Sequence, residues 1–200
     1  MSTKVNPLQL YNIREATEAD LPQLLDIYNE RVRNSTSLFV YDEIPLENRQ
    51  TWFTDCQAKG YPVIVAAEKE TDLAIAYSSL AQYRPHPAYV LTAEISIYIH
   101  VDHHRRGLGR LLLEEMITIA ERMKLRSLIA SITSENAPSL QLFGQYQFTH
   151  AGVFHKVGYK QGRYLDVTFL ERISPAPLVD FPRGASFTPF PWGNYRHGLE

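Results

Sequence analysis

The stretch Glu94–Met123, EISIYIHVDHHRRGLGRLLLEEMITIAERM, decides how the rest of the chain is read. In its first half Glu94, Ser96, Tyr98 and His100 alternate with Ile95, Ile97, Ile99 and Val101. That period of two predicts a strand with one apolar face. The second half changes period. Leu108, Leu111, Leu112, Met116, Ile119, Ala120 and Met123 recur at helical spacing. Between the two lie Asp102, two histidines, two arginines and Gly107-Leu108-Gly109, where a strand hands over to a helix. Such a junction aims free backbone N–H groups and the positive end of the helix dipole at one point. Glycines let a ligand come close to the backbone, and Arg105, Arg106 and Arg110 add charge. A phosphate-bearing ligand suits this turn. The spacing is neither that of a P-loop nor a complete GxGxxG, since position 112 is leucine.

Composition narrows the reading. The 200 residues predict one domain whose core needs no disulfide. A formal net charge of −2 argues against a dedicated nucleic-acid binder. Cys56 is the only cysteine, which excludes an intrachain disulfide and reads as a packed thiol. His103 and His104 are adjacent, so in a turn they point apart, and no metal is expected. No segment approaches the roughly 18 apolar residues of a membrane span, and the start resembles no signal peptide. No membrane association is expected, and the cytoplasm is the expected location.

Taken in order, Leu8 to Arg14 predicts a first strand. Thr17 and Asp20 form a capping-box variant before a helix with Leu21, Leu24, Leu25, Tyr28 and Val32 on one face. An irregular loop follows, then a helix starting near Pro45 or Leu46. Tyr61–Glu68 and Leu73–Gln82 read as a hairpin turned by Glu70, Thr71 and Asp72. Pro85 and Pro87 force a loop before the central strand. After the central helix, Ser127–Thr133 is another strand. Ser134 or Asn136 caps a helix with Pro138 in its first turn. Phe154–Tyr159 and Tyr164–Glu171 predict a closing hairpin. The 174–200 tail holds five prolines, three glycines and the aromatics Phe181, Phe187, Phe190, Trp192 and Tyr195. It predicts neither a strand nor a long helix, and packs on this domain or on a neighbouring copy.

The run His104-Arg105-Arg106-Gly107-Leu108-Gly109 resembles the (Gln/Arg)-x-x-Gly-x-(Gly/Ala) signature of the GNAT acetyltransferases, which cradles the pyrophosphate of acetyl-CoA. The likeness extends from about Ile13 to Arg172. Arg84, Ala88-Tyr89 and Thr92-Ala93-Glu94 resemble the phosphinothricin acetyltransferase subfamily, as do YNERVRNSTSLF and VGYKQGRYLDVTFLER. ENAPSLQLFGQYQF is similar to an ENxxSxxLxxxxGF element that lies against the CoA arm, with Asn136 and Ser139 at its fixed positions. Three features depart from the pattern. His104 stands in place of Gln or Arg, Phe143 in place of a Tyr or His, and Gln147 in place of a glycine.

The resemblance implies an α/β GNAT fold over residues 8–173, followed by the 174–200 tail. Its sheet is mixed and mostly antiparallel, with helices on both faces and central strands splayed to admit acetyl-CoA. The implied activity is N-acetylation of a small amino acid-like amine of the phosphinothricin, methionine sulfoximine or methionine sulfone type, by direct attack in a ternary complex. Subfamily members are commonly dimers, so a homodimer is expected. A protein N-terminal acetyltransferase and a non-catalytic acyl-CoA sensor are the alternatives.

Acetyl transfer needs a base, since an ordinary amine is mostly ammonium near neutrality. Glu94 is the candidate, acting directly or through water, and a strand-end carboxylate satisfied by an arginine or backbone is its plain alternative. Main-chain groups of Ile97, Tyr98 and Ile99 are expected on the thioester and pantetheine. His104, Arg105, Arg106, Gly107, Leu108, Gly109 and Arg110 are expected around the pyrophosphate. Phe143 cannot donate a proton, so either the thiolate leaves without a dedicated acid or another group serves, with Tyr146, three residues on, as the candidate. Arg84 is expected to hold an acceptor carboxylate, with Tyr89 or Tyr164 forming a wall and Thr133 also in the acceptor site.

Overall fold

The alternating stretch and its neighbours form seven strands and five α-helices among the residues described by the computed structural model, which are 6–176 and 184–198. In chain order they are α1 Pro7–Leu10, β1 Tyr11–Glu15, α2 Leu21–Asn34, α3 Leu46–Ala58, β2 Val63–Glu68 and β3 Ala74–Gln82. There follow β4 Thr92–Ile99, α4 Leu108–Arg122, β5 Ser127–Thr133, α5 Ala137–Gly144, β6 Thr149–Lys160 and β7 Arg163–Ile173. The sheet order is β1-β2-β3-β4-β5-β7-β6. Every pairing is antiparallel except β4 with β5.

Period-two alternation sorts the side chains into two cores. In β2, Ile64 and Ala66 join the cluster built around Leu112, Leu113 and Met116 of α4. Val63 and Val65 join the opposite cluster with Leu21, Leu24 and Ile27 of α2 and Phe53 of α3. Helices therefore cover both faces of the sheet. In α2 the buried face carries Leu21, Leu24, Ile27 and Val32, with Leu25 and Tyr28 at its margin.

The N-terminal strand is shorter than expected. Pro7 starts one helical turn whose cap is Asn6, accepting from the Leu8 N–H at 3.1 Å, so the strand begins at Tyr11. The closing hairpin is longer than its alternation suggested, because bulges at His150/Gly152 and Phe154/Gly158 break the period without ending the pairing.

The tail adds no strand or helix among its described residues, yet it is tightly docked on its own chain. Phe190 is buried, its N–H donates to Gly60 O, and Trp192 packs edge-on to Phe53 at 5.4 Å. Arg196 bridges to Arg14 along the β1 edge, and Tyr195 and His197 donate to the buried Glu115 carboxylate. Phe181 lies outside the described residues.

The Thr17–Asp20 cap forms as read. Thr17 N–H and Oγ1 donate to Asp20 Oδ2 at 2.7 and 2.9 Å, and Arg14 grips both carboxylate oxygens at 2.7 and 2.8 Å. Burial alone would raise the Asp20 pKa, but the Arg14 and Thr17 hydrogen bonds bring it below its usual value of 3.8. That stability is therefore present above about pH 4 and is lost as pH falls through the lowered folded-state pKa. Asp20→Asn should cost about 3 kcal/mol at neutral pH, because Arg14 loses its bidentate carboxylate partner in a largely buried site. Denaturant melts of both proteins should converge on acidification. A constant gap down to strongly acid pH contradicts the assignment.

Candidate active site

Strands β4 and β5 pair only at Thr92–Glu94 with Ser127–Ile129. Beyond that point β3 continues to hold β4 up to Ile99, and β7 holds β5 up to Thr133. Each central strand follows its own outer neighbour, so a gap opens between them. It is lined by Ile95–Tyr98 on one side and Ala130–Thr133 on the other. The gap leads into a cavity of about 610 Å³ bounded by Ile97, Tyr98, Ile99, His104, Arg105, Gly109, Asn136, Ser139, Leu142, Phe143 and the loop after α2.

Alternation decides what faces this gap. His100 N–H donates to Ile75 O, so even-numbered main-chain groups of β4 point at β3. The N–H and C=O of Ile97 and Ile99 therefore turn towards the missing β5 partner. Ile99 O already has a neighbour, His104 Nε2 at 3.1 Å. The N–H groups of Ile97 and Ile99 both turn to this side, and of the two residues Ile97 is the one that lines the gap, where its N–H can meet a carbonyl oxygen. The expectation for Tyr98 changes accordingly. Its main chain faces β3, and its ring packs at 5.1 Å from Tyr77 and 6.0 Å from Tyr28. Burial pushes its hydroxyl pKa up to about 12.

Side chains sort the same way. Glu94, Ser96 and Tyr98 share the sheet face that carries α2, while Ile97 and Ile99 share the face that carries α4. Ser131 of β5 points to the Glu94 side, and its Oγ donates to Glu94 Oε1 at 2.6 Å. One carboxylate oxygen is thus fixed by a neutral donor. No arginine or lysine ion pair to Glu94 is present among the described residues. The carboxylate is oriented by Ser131, which lines the gap, while Glu94 itself lies outside the gap and cavity linings.

The turn between β4 and α4 forms where the sequence placed it. Gly107 caps α4 in the left-handed region at φ 84°, a conformation that strains any residue with a Cβ. Its neighbours diverge. Arg105 and His104 line the cavity. Arg106 instead donates to Tyr11 Oη at 3.4 Å, Arg110 pairs with Glu114 at 3.1 Å, and the Leu108 side chain is buried. Leu108 therefore presents only its backbone at this turn. Asn136 caps α5 by accepting from Ser139 N–H at 3.3 Å, and both residues line the cavity.

Three expected residues stand apart. Tyr146 falls beyond the end of α5 at Gly144, so its side chain leaves the Phe143 face and its hydroxyl donates to Glu114. Tyr146 does not line the cavity beside Phe143. Arg84 lies over the Tyr83 ring at 5.0 Å and Tyr89 packs edge-on to Tyr83 at 5.7 Å, in the loop before β4 and outside the cleft lining. Thr133 does line the gap, but its hydroxyl donates to Thr36 O at 2.8 Å and so anchors a loop. Sequence reasoning missed Ser131, Ser37 and Glu135. Ser131 could have been found from alternation in SLIASIT, since it falls on the face opposite Leu128 and Ala130.

Comparison with known proteins agrees with this geometry. An acetyltransferase (GNAT) domain model matches residues 13–169. The chain is 38% identical over 160 residues to the L-methionine sulfoximine/L-methionine sulfone acetyltransferase of Pseudomonas aeruginosa, covering 80% of this chain and 92% of that one. It is 32% identical over 161 residues to the phosphinothricin N-acetyltransferase of Streptomyces coelicolor, covering 80% and 94%. A Salmonella typhimurium structure, solved with its cofactor acetyl-CoA, superposes with a TM-score of 0.82 at 32% identity, covering 86% of this chain and 98% of that one.

Proposed function

Because this chain belongs to the GNAT acetyltransferase family, we propose that its acceptor is the amine of a small amino acid-like compound of the methionine sulfoximine, methionine sulfone or phosphinothricin type. The protein is an enzyme that moves the acetyl group of acetyl-CoA to an amine. The observation that carries the acceptor reading is the through-sheet gap, with a fixed carboxylate on one face and an anion-binding turn at the far end. Relatives named for these compounds support it.

In this reading the pyrophosphate of acetyl-CoA rests on the backbone of Gly107–Gly109, with His104 and Arg105 beside it, and the pantetheine runs along Ile97, Ile99, Asn136 and Ser139. The amine enters from the α2 face. Glu94 takes its proton, directly or through one water, while Ser131 keeps the carboxylate aimed. The amine nitrogen attacks the thioester carbon, and Ile97 N–H meets the developing oxyanion. The C–S bond then breaks and the thiolate leaves. Phe143 lines the cleft where a donor could have stood, so departure relies on the low basicity of the thiolate. Arg84 steadies an acceptor carboxylate if the loop around Pro87–Tyr89 approaches. A homodimer belongs to the same reading, supported by the aromatic side chains that β6 and β7 leave exposed, Phe154, Tyr159 and Tyr164.

The test is CoA release from acetyl-CoA over a panel of methionine sulfone, methionine sulfoximine, phosphinothricin, a polyamine and a short peptide, with the product identified by mass. Turnover concentrated on the first three supports the proposal. Turnover confined to the peptide or polyamine overturns it. Tight acetyl-CoA binding without turnover on any amine points to the second reading, a binding module, which Phe143 favours.

A further inference from the structure

We propose that Lys160 is a positioning residue for acceptor binding, because its ammonium holds the segment from Val32 to Leu38 in place as one wall of the cleft. The inference deepens the acceptor reading above and rests on it. Lys160 ends β6 and is only 6% exposed. Its Nζ donates to Val32 O and to Leu38 O, each at 2.8 Å. Among the described residues it makes no ion pair, so carbonyl dipoles alone receive the charge. Val32 lies in the last turn of α2, where carbonyls lack helical partners and carry the negative end of the dipole. One cation therefore ties the end of the helix to the far side of the loop that follows it.

That loop belongs to the cleft. Arg31, Asn34, Ser35, Thr36 and Ser37 line the cavity, and Ser37 reaches the gap between β4 and β5. Other contacts bind the same segment to the same hairpin. Thr36 Oγ1 and Arg163 both donate to Glu135 Oε1 at 2.6 Å, and Tyr41 Oη donates to Tyr159 O at 2.7 Å. Phe39 lies so close over Gly158 that a Cβ there would sit 2.2 Å from the ring. Packing alone could be achieved by an apolar side chain without burying an ammonium. What the ammonium adds is a directed hold on two carbonyls at the two ends of the wall. Burial lowers the Lys160 pKa, as expected of a cation without a carboxylate.

The test compares the full-length protein with its K160M, K160Q and K160R variants. K160M should raise the acceptor KM about tenfold, the size of one charge-assisted hydrogen bond, while kcat changes less than about threefold. K160R, still able to donate to two carbonyls, should recover most of the affinity, and K160Q should fall between. Amide exchange at Ser35–Leu38 should speed up about tenfold in K160M, with β5 and β7 unchanged. Exchange needs no acceptor. A wild-type protein that acetylates no panel amine therefore counts against the acceptor reading, while the exchange result still decides the hold. Wild-type exchange at 35–38, or a wild-type acceptor KM with only a lowered Tm, overturns the inference. If K160M does not fold, the same comparison is made with K160Q.

Discussion

Replacing Glu94 with glutamine is expected to lower kcat/KM for the acceptor by about 10²- to 10⁴-fold, the usual worth of a general base. Acetyl-CoA affinity should stay within about threefold, since Glu94 lies on the α2 face and the phosphate turn lies beyond the opposite end of β4. Glutamine keeps the size of the side chain and can still accept from Ser131 Oγ, so the fold and the local hydrogen bond survive. The loss should then shrink as pH rises towards the pKa of the amine, because less of the substrate needs its proton removed. Steady-state rates over a pH series, with calorimetric titration of acetyl-CoA, measure both effects. An E94Q protein with wild-type kcat/KM would remove Glu94 from the chemistry and leave it a structural carboxylate.

The second large effect concerns the other end of the cleft. At Gly107 the backbone lies at φ 84°, and a Cβ built there would sit 2.9 Å from Pro7 Cγ. Valine at this position brings left-handed strain of about 1–3 kcal/mol together with a clash against α1. The turn can relieve both only by rotating, which disperses the N–H groups that converge at the start of α4. Gly107→Val is therefore expected to weaken acetyl-CoA binding by about 10- to 100-fold. Acetyl-CoA titration measures it, with circular dichroism to show that α4 persists. Unchanged affinity in a folded variant would place the pyrophosphate elsewhere.

Much of this was legible in the sequence because it is local. Alternation in EISIYI and SLIASIT identifies β4 and β5, helical spacing after Gly109 identifies α4, and Thr17–Asp20 identifies the start of α2. Glu94 is legible as well, since alternation alone assigns its face. The missing pieces depend on distant partners. Tyr146 looked close to Phe143 on a helical count, but α5 stops at Gly144 and Glu114 of α4 captures the hydroxyl. Arg106 and Arg110 read as anion ligands from the sequence, which gives no sign of the contacts they make with Tyr11 and Glu114. Lys160 gave no signal, because a lysine before a turn is ordinarily solvated and its partners lie 122 and 128 residues away. The tail aromatics pointed to packing without saying on what, and it is Phe53, Tyr61 and the β1 edge that receive them.

Direct transfer requires both substrates to meet in one gap, with no acetyl-enzyme between them. The lone thiol fits that requirement. Cys56 is buried in the α2–α3 core, away from the cleft lining, with its pKa raised to about 11 by burial. The most direct test is initial-rate kinetics with acetyl-CoA and methionine sulfone varied together. Intersecting double-reciprocal lines, with no acetyl group retained on the protein after incubation with acetyl-CoA alone, are the predicted result. Parallel lines with a covalently acetylated protein would contradict it.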